Sequence, residues 1–266
     1  MQNLIILALL LTTAAFAKPN TTFAFLVTST AIDYSEYSQK NDILDTENSS
    51  FGDIGGFCLY YGYNFNATQT GHINIAFTYR QQQGKTTYVG SLLGKDNPYG
   101  SYQGESDNLF VDYKLQISYL YHYKSNLRPK LLFALAKHLW ERKLLPNQTE
   151  TYTWLPLVFG FGLDGEFFHT LPLSIQTSFA YCYGINPTMQ LSTTQTNFTL
   201  GRAENFVFDL NAIYHLPHHI DAIVGYNYNY QIIQPSNTLN TSLGKMYEPF
   251  SKDYQQRVQV GLGYSF

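Results

Sequence analysis

Charge is scarce in this chain of 266 residues: Lys, Arg, Asp and Glu make up 13% of it, and the formal net charge is -3. The Lys and Arg residues stand one or two at a time, which excludes a nucleic-acid partner, because phosphate recognition needs a concentrated basic surface. Cysteine is scarcer still. Cys58 and Cys182 are the only two, too few for a disulfide framework and too far apart for a metal-site spacing. Long hydrophobic runs are missing as well. After the first 17 residues no apolar stretch approaches the roughly 18 to 20 residues that a membrane helix needs. The richest, Leu155 to Leu163, is broken by Pro156, Gly160 and Gly162, so a helical membrane bundle is excluded. Ring surface, in contrast, is abundant. With 23 Tyr, 19 Phe and 44% hydrophobic residues, the chain has far too much apolar area to stay disordered, and its length suits one large domain.

The N-terminus reads as a processing signal. Leu4 to Leu11 form an apolar core too short to span a bilayer, and Ala15-Phe16-Ala17 is a small-x-small cleavage site. Residues 1–17 are therefore expected to be a signal peptide and 18–266 a single mature domain. Met1-Gln2-Asn3 departs from the pattern in carrying no Lys or Arg. No Cys follows the cleavage site, so a lipid anchor is not expected there.

Beyond the signal, apolar residues recur at every second position. Leu109, Val111, Tyr113, Leu115, Ile117, Tyr119, Tyr121 and Tyr123 alternate with a mainly polar set that includes Asp112, Lys114, Gln116 and Ser118. This is the signature of a strand with one apolar and one polar face. The same reading recurs over 21–37, 53–66, 72–84, 130–144, 153–168, 172–186, 205–216, 220–234 and 254–266. The spacers alternate in length. Asn66 to Gly71, Ser125 to Pro129, His169 to Leu171 and Pro217 to His219 are short, whereas Ser38 to Gly52, Lys85 to Ser106, Leu145 to Tyr152, Pro187 to Glu204 and Pro235 to Asp253 are longer. A soluble sandwich or lipocalin-like barrel has no reason to collect its long loops at one end. Its apolar face would also be the inner one. Here the large rings suit lipid, while Gly56, Gly62, Gly160, Gly162, Gly225 and Gly261 share the other face with Asn, Gln and Ser, as a narrow lumen requires. The expected fold is all-β, an antiparallel transmembrane β-barrel of about ten strands, with about eight or twelve as the neighbouring solutions.

The last residues, Val258-x-Val260-x-Leu262-x-Tyr264-x-Phe266, end the chain on an aromatic after alternating apolar positions. This resembles the terminal strand of Gram-negative outer-membrane β-barrel proteins. The resemblance implies a location in the bacterial outer membrane, both termini in the periplasm, and outer-membrane lipids and lipopolysaccharide as surroundings. It also implies that Leu262, Tyr264 and Phe266 form the signal read by the barrel assembly machinery. The motif covers about ten residues and points to no narrower family.

A lumen of about ten strands lies near the filled end of the barrel series, which disfavours a wide pore. The strand phase points Arg80, Asp112, Lys114, Asp209 and Arg257 inward, together with Asp164, Glu166 and Asp221. Buried charges in so narrow a space must pair. Arg80 with Asp112 is the expected pair, and Arg257 is expected to neutralise a carboxylate. Catalytic barrels of this class, the omptin proteases and lipid A deacylases, place a His near the outer rim. Here His72, His122, His169, His215, His218 and His219 fall at the terminal end, only His138 lies in the upper half, and the omptin Asp-x-His pair is absent. Glu105 and Asp107 read as solvated rim charges. No catalytic residue, metal site or cofactor is therefore expected, and Cys58 and Cys182 should be free thiols on opposite walls. The expectation for function is a non-enzymatic barrel with a structural, adhesive or surface-interaction role through its long loops. A narrow solute channel is the alternative, and an omptin-like or lipid A-modifying hydrolase fits less well. The sequence names no extracellular partner.

Overall fold

The computed structural model describes residues 20–65, 70–91, 98–123, 126–145, 148–167 and 171–266. The expected signal segment and His169 lie outside these. The described chain forms β1 (Thr21–Tyr37), β2 (Ile43–Asn48), β3 (Ile54–Phe65), β4 (Gly71–Gly90), β5 (Tyr102–Tyr121), β6 (Leu127–Leu145), β7 (Gln148–Gly165), β8 (Leu173–Leu191), β9 (Thr196–Thr199), β10 (Ala203–Leu216), β11 (Ile220–Ile233), β12 (Leu239–Thr241), β13 (Gly244–Met246) and β14 (Phe250–Ser265). Neighbours pair antiparallel around a ring, which β14 closes against β1 from Thr22↔Ser265 to Tyr37↔Phe250. β2 and β3 share one place in the ring, since both lie between β1 and β4. β9 and β10 share another, both paired with β8. The result is a closed barrel of ten staves, whose ring of strands has no open side.

Burial alternates as the sequence pattern requires: along β6, Leu131 and Phe133 are 67% and 45% exposed while Leu132 and Ala134 are 9% and 1% exposed. The exposed row continues around the barrel through Phe25, Phe77, Ile117, Phe159, Phe179, Phe206, Val224 and Val260. Only lipid can cover so much apolar surface on a closed sheet. Asn20 N–H donates to the Phe266 carbonyl at 3.1 Å, so both ends of the described chain meet at one end of the barrel.

The staves overrun the expected limits. β4 and β5 each have 20 residues, whereas a tilted strand crosses a bilayer in about 9 to 11. The excess lies at the end away from the termini, where the polarity of the wall reverses. On β6 the outward row passes from Leu131, Phe133 and Leu135 to Lys137, Glu141 and Lys143, while the inward row passes from Lys130 and Ala134 to Trp140. On β7, outward Phe161 and Phe159 give way to Thr153, Thr151 and Thr149, with Trp154 and Tyr152 buried inside. This end therefore stands clear of lipid and packs like a water-soluble barrel.

The expected long loops shrink accordingly. Most of Ser38 to Gly52 is a turn plus β2, the turn closed by Ser38 N–H donating to the Asp42 carbonyl. Pro187 does not end its strand. Asn186, in the left-handed region at φ 49°, opens a bulge opposite Trp154, and β8 runs on to Leu191. A bulge tolerates the missing N–H of proline. Among the described residues, Lys85 to Gly90 and Tyr102 to Ser106 continue β4 and β5, and Leu145 and Gln148 to Tyr152 continue β6 and β7. Pro235 to Asp253 keeps a real excursion, the β12–β13 hairpin, and its Leu239 and Met246 fold back onto the core inside the barrel.

Candidate functional site

The inward side chains form three levels. The upper level is a cap. The side chain of Arg142, on β6, has 0% exposure and sits among Glu36 (2.8 Å), Glu47 (2.8 Å) and Glu150 (2.9 Å), which come from β1, β2 and β7. Its guanidinium also lies 4.6 Å from the centre of the Tyr34 ring. Tyr152 donates its hydroxyl to Glu248, from the segment after β13, at 2.5 Å. Burial, with Glu36 and Glu150 alongside, holds the Glu248 carboxyl well above the usual range. Next to this centre Trp140 stacks on Phe110 and Tyr152 at 5.5 and 5.0 Å and meets the edge of Tyr34 at 5.1 Å. Its indole N–H donates to Asn108 at 2.7 Å. Tyr34, Tyr152, Arg142 and Ser106 are all 0% exposed at this level.

The middle level is a chamber of about 150 Å³, and Arg80, Asp112, Lys114, Asp209 and Arg257 all line it. Arg80 lies 3.6 Å from Asp112. The other oxygen of Asp112 lies 2.5 Å from Nδ1 of His138, whose ring rests 4.3 Å from that of Trp154. Arg257 departs from expectation, because none of its hydrogen-bond partners is a carboxylate. It donates to Gln82 (2.8 Å), Asn227 (3.0 Å), Thr30 (3.3 Å) and Gln255 (3.5 Å). Asn227 in turn donates to Asp209 at 2.8 Å, so an amide relays between the two charges. Cys182 also lines the chamber, and both cysteines are free and buried.

The lower level lies near the termini. Lys130 pairs with Asp164 at 2.7 Å, and His72 lies 3.1 Å from His122. Glu166, read from the sequence as inward, sits past the end of β7 and pairs with Arg128 at 3.7 Å. Ser174 Oγ lies 2.6 Å from Nε2 of His215, and Nδ1 of His215 lies 2.7 Å from Asp221. The order Ser, His, Asp is that of a nucleophilic triad, with Ser174 5% exposed at the end of the barrel near the termini. The trio joins β8, β10 and β11. Leu262, Tyr264 and Phe266 form the outward row at the end of the closing strand, Tyr264 packing edge-on to Phe266 at 4.8 Å.

Sequence reasoning found the chamber and missed the cap. Arg142, between Glu141 and Lys143, is not singled out, and Glu36, Glu47, Glu150 and Glu248 lie in or beside spacers expected to be loops. One signal was present. The period-two phase that places Leu131 and Phe133 outward places Trp140 and Arg142 inward. Glu105 turns outward, as a rim charge should, and pairs with Lys85 at 2.6 Å.

No protein-family model and no curated protein matches the chain. Among solved structures, the outer-membrane protease OmpT from Escherichia coli is similar over 93% of this chain and 97% of its own, at 10% identity and a TM-score of 0.56. The fold is that of an outer-membrane β-barrel. Two autotransporter barrels score lower. The transport unit of AIDA-I from Escherichia coli has 11% identity over 94% of this chain and 91% of its own, at a TM-score of 0.46. The NalP translocator domain from Neisseria meningitidis has 11% identity over 100% and 96%, at 0.44. The apolar outer band of the present barrel is the surface that meets membrane lipid.

Proposed function

We propose that the protein is a closed, non-conducting barrel without catalytic chemistry, acting through the rim at the end away from its termini, and that this rim faces the outside of the cell. The observation that carries this reading is the cap: Arg142, Trp140, Tyr34 and Tyr152 occupy the interior above the lipid zone at 0 to 1% exposure. Among the described residues extended strands support the rim, so a partner meets a largely preformed polar surface there. The outward, ion-paired Glu105 and the low exposure of Ser174 support the absence of catalysis. The chamber favours a narrow solute channel as the second reading, in which the cap would have to part. Planar-bilayer recording separates the two. The wild type is expected to give no steady openings, and large, steady openings would overturn the closed-barrel reading.

A further inference from the structure

The chamber holds more positive charge than its acids answer. Arg80, Lys114 and Arg257 line it against Asp112 and Asp209. Asp112 already serves both Arg80 and His138, and Asp209 accepts from Asn227. Among the described residues Lys114 makes no ion pair and no hydrogen bond, although it lines the chamber beside the other charged groups. Nε of Arg80 is buried and also without a partner, as is Nε2 of His138. These groups share one patch of wall. Arg80 stands opposite Asp112 in the β4–β5 register, and Lys114 is two residues further on the same face, which sets the Arg80 and Lys114 Cα atoms about 7 to 8 Å apart. Arg257 adds field, and each nitrogen of its guanidinium already donates to an amide or hydroxyl oxygen.

We propose that this chamber is a binding site for a small oxyanion, a carboxylate or phosphate group held between the Lys114 ammonium and the Arg80 Nε–H. A space of about 150 Å³ takes several waters, or a ligand of only a few heavy atoms in their place. The anion completes the charge balance of the middle level and gives Lys114 the acceptor it lacks. This site goes beyond the rim function proposed above and does not depend on it.

The sequence has two tryptophans, and Trp154 lines the chamber while Trp140 is buried in the cap beside it, so tryptophan fluorescence reports on this region. The purified barrel in detergent is titrated with sodium phosphate and with sodium acetate against sodium chloride at matched ionic strength, with calorimetry in parallel. A saturable signal with phosphate, acetate or both is expected, and its absence at chloride levels identifies an oxyanion site. The relative response to the two salts tells phosphate from carboxylate. Lys114→Met, which orphans no carboxylate, should keep heat-modifiable folding and weaken binding about tenfold or more, as loss of a charge-assisted hydrogen bond does. Lys114→Arg should retain binding, and Lys245→Met in the exposed hairpin should leave it unchanged. No saturable binding of either oxyanion, or equal binding by folded Lys114→Met, overturns the proposal.

Discussion

Glu36, Glu47 and Glu150 share a single guanidinium at the cap with Glu248 close by, and the four cannot all be ionised in so little water. Burial first, and Glu36 and Glu150 next, raise the Glu248 carboxyl well above its ordinary range. Asp45, at the rim on β2, is pushed up to about 8 for the same reason, burial leading and Glu36 following. An acid whose pKa is higher folded than unfolded stabilises the fold below its unfolded pKa, and the benefit fades as pH rises through the folded value. Thermal stability read by tryptophan fluorescence is therefore expected to fall between pH about 4 and about 8, and Glu248→Gln should flatten that fall. Arg142 is the converse case. Arg142→Met leaves several buried carboxylates without their counter-charge, and a loss of about 3 to 5 kcal/mol in urea unfolding is expected.

At the scale of one strand, β5 carries both environments. Ile117 is 49% exposed on the lipid side and its neighbour Ser118 is 3% exposed inside. Ile117→Arg should cost about 2 to 4 kcal/mol in the inserted barrel, because a guanidinium at mid-bilayer depth cannot be solvated. Ser118→Arg should instead act through crowding of the lumen, so the two variants differ in whether thinner bilayers relieve the cost. The alternation behind this contrast was legible residue by residue. The true ends of the staves were not. Pro187 reads as a stop and is absorbed by a bulge, and Ile43 to Asn48 reads as loop and is strand because β1 and β4 offer it hydrogen-bond partners.

Across the whole molecule, closure depends on β14, which pairs with β1 on one side and β11 on the other. Phe266 ends that strand on the outward face, 40% exposed. If the assembly machinery reads this row, Phe266→Asp should leave the chain periplasmic. Fractionation and heat-modifiable migration check this, and normal insertion of the mutant would refute the role given to Phe266. Closure also builds the cap, because it is the ring that brings Glu36 to Arg142 across a sequence separation of 106 and Glu47 across 95.

The period-two pattern by itself determined the fold class, the lipid-facing row and the inward phase of Arg80, Asp112, Lys114, Asp209 and Arg257, because strand geometry alone sends alternate side chains to opposite faces. It did not determine partners. Arg80 and Asp112 could be matched because their strands are consecutive in sequence. Arg257 meets amides in place of a carboxylate, and Arg142 gathers acids from three other staves, because contacts across a lumen depend on the stagger and closure of the whole ring. Whether an inward charge is paired, relayed or left free, as Lys114 is among the described residues, was decided only in the tertiary structure.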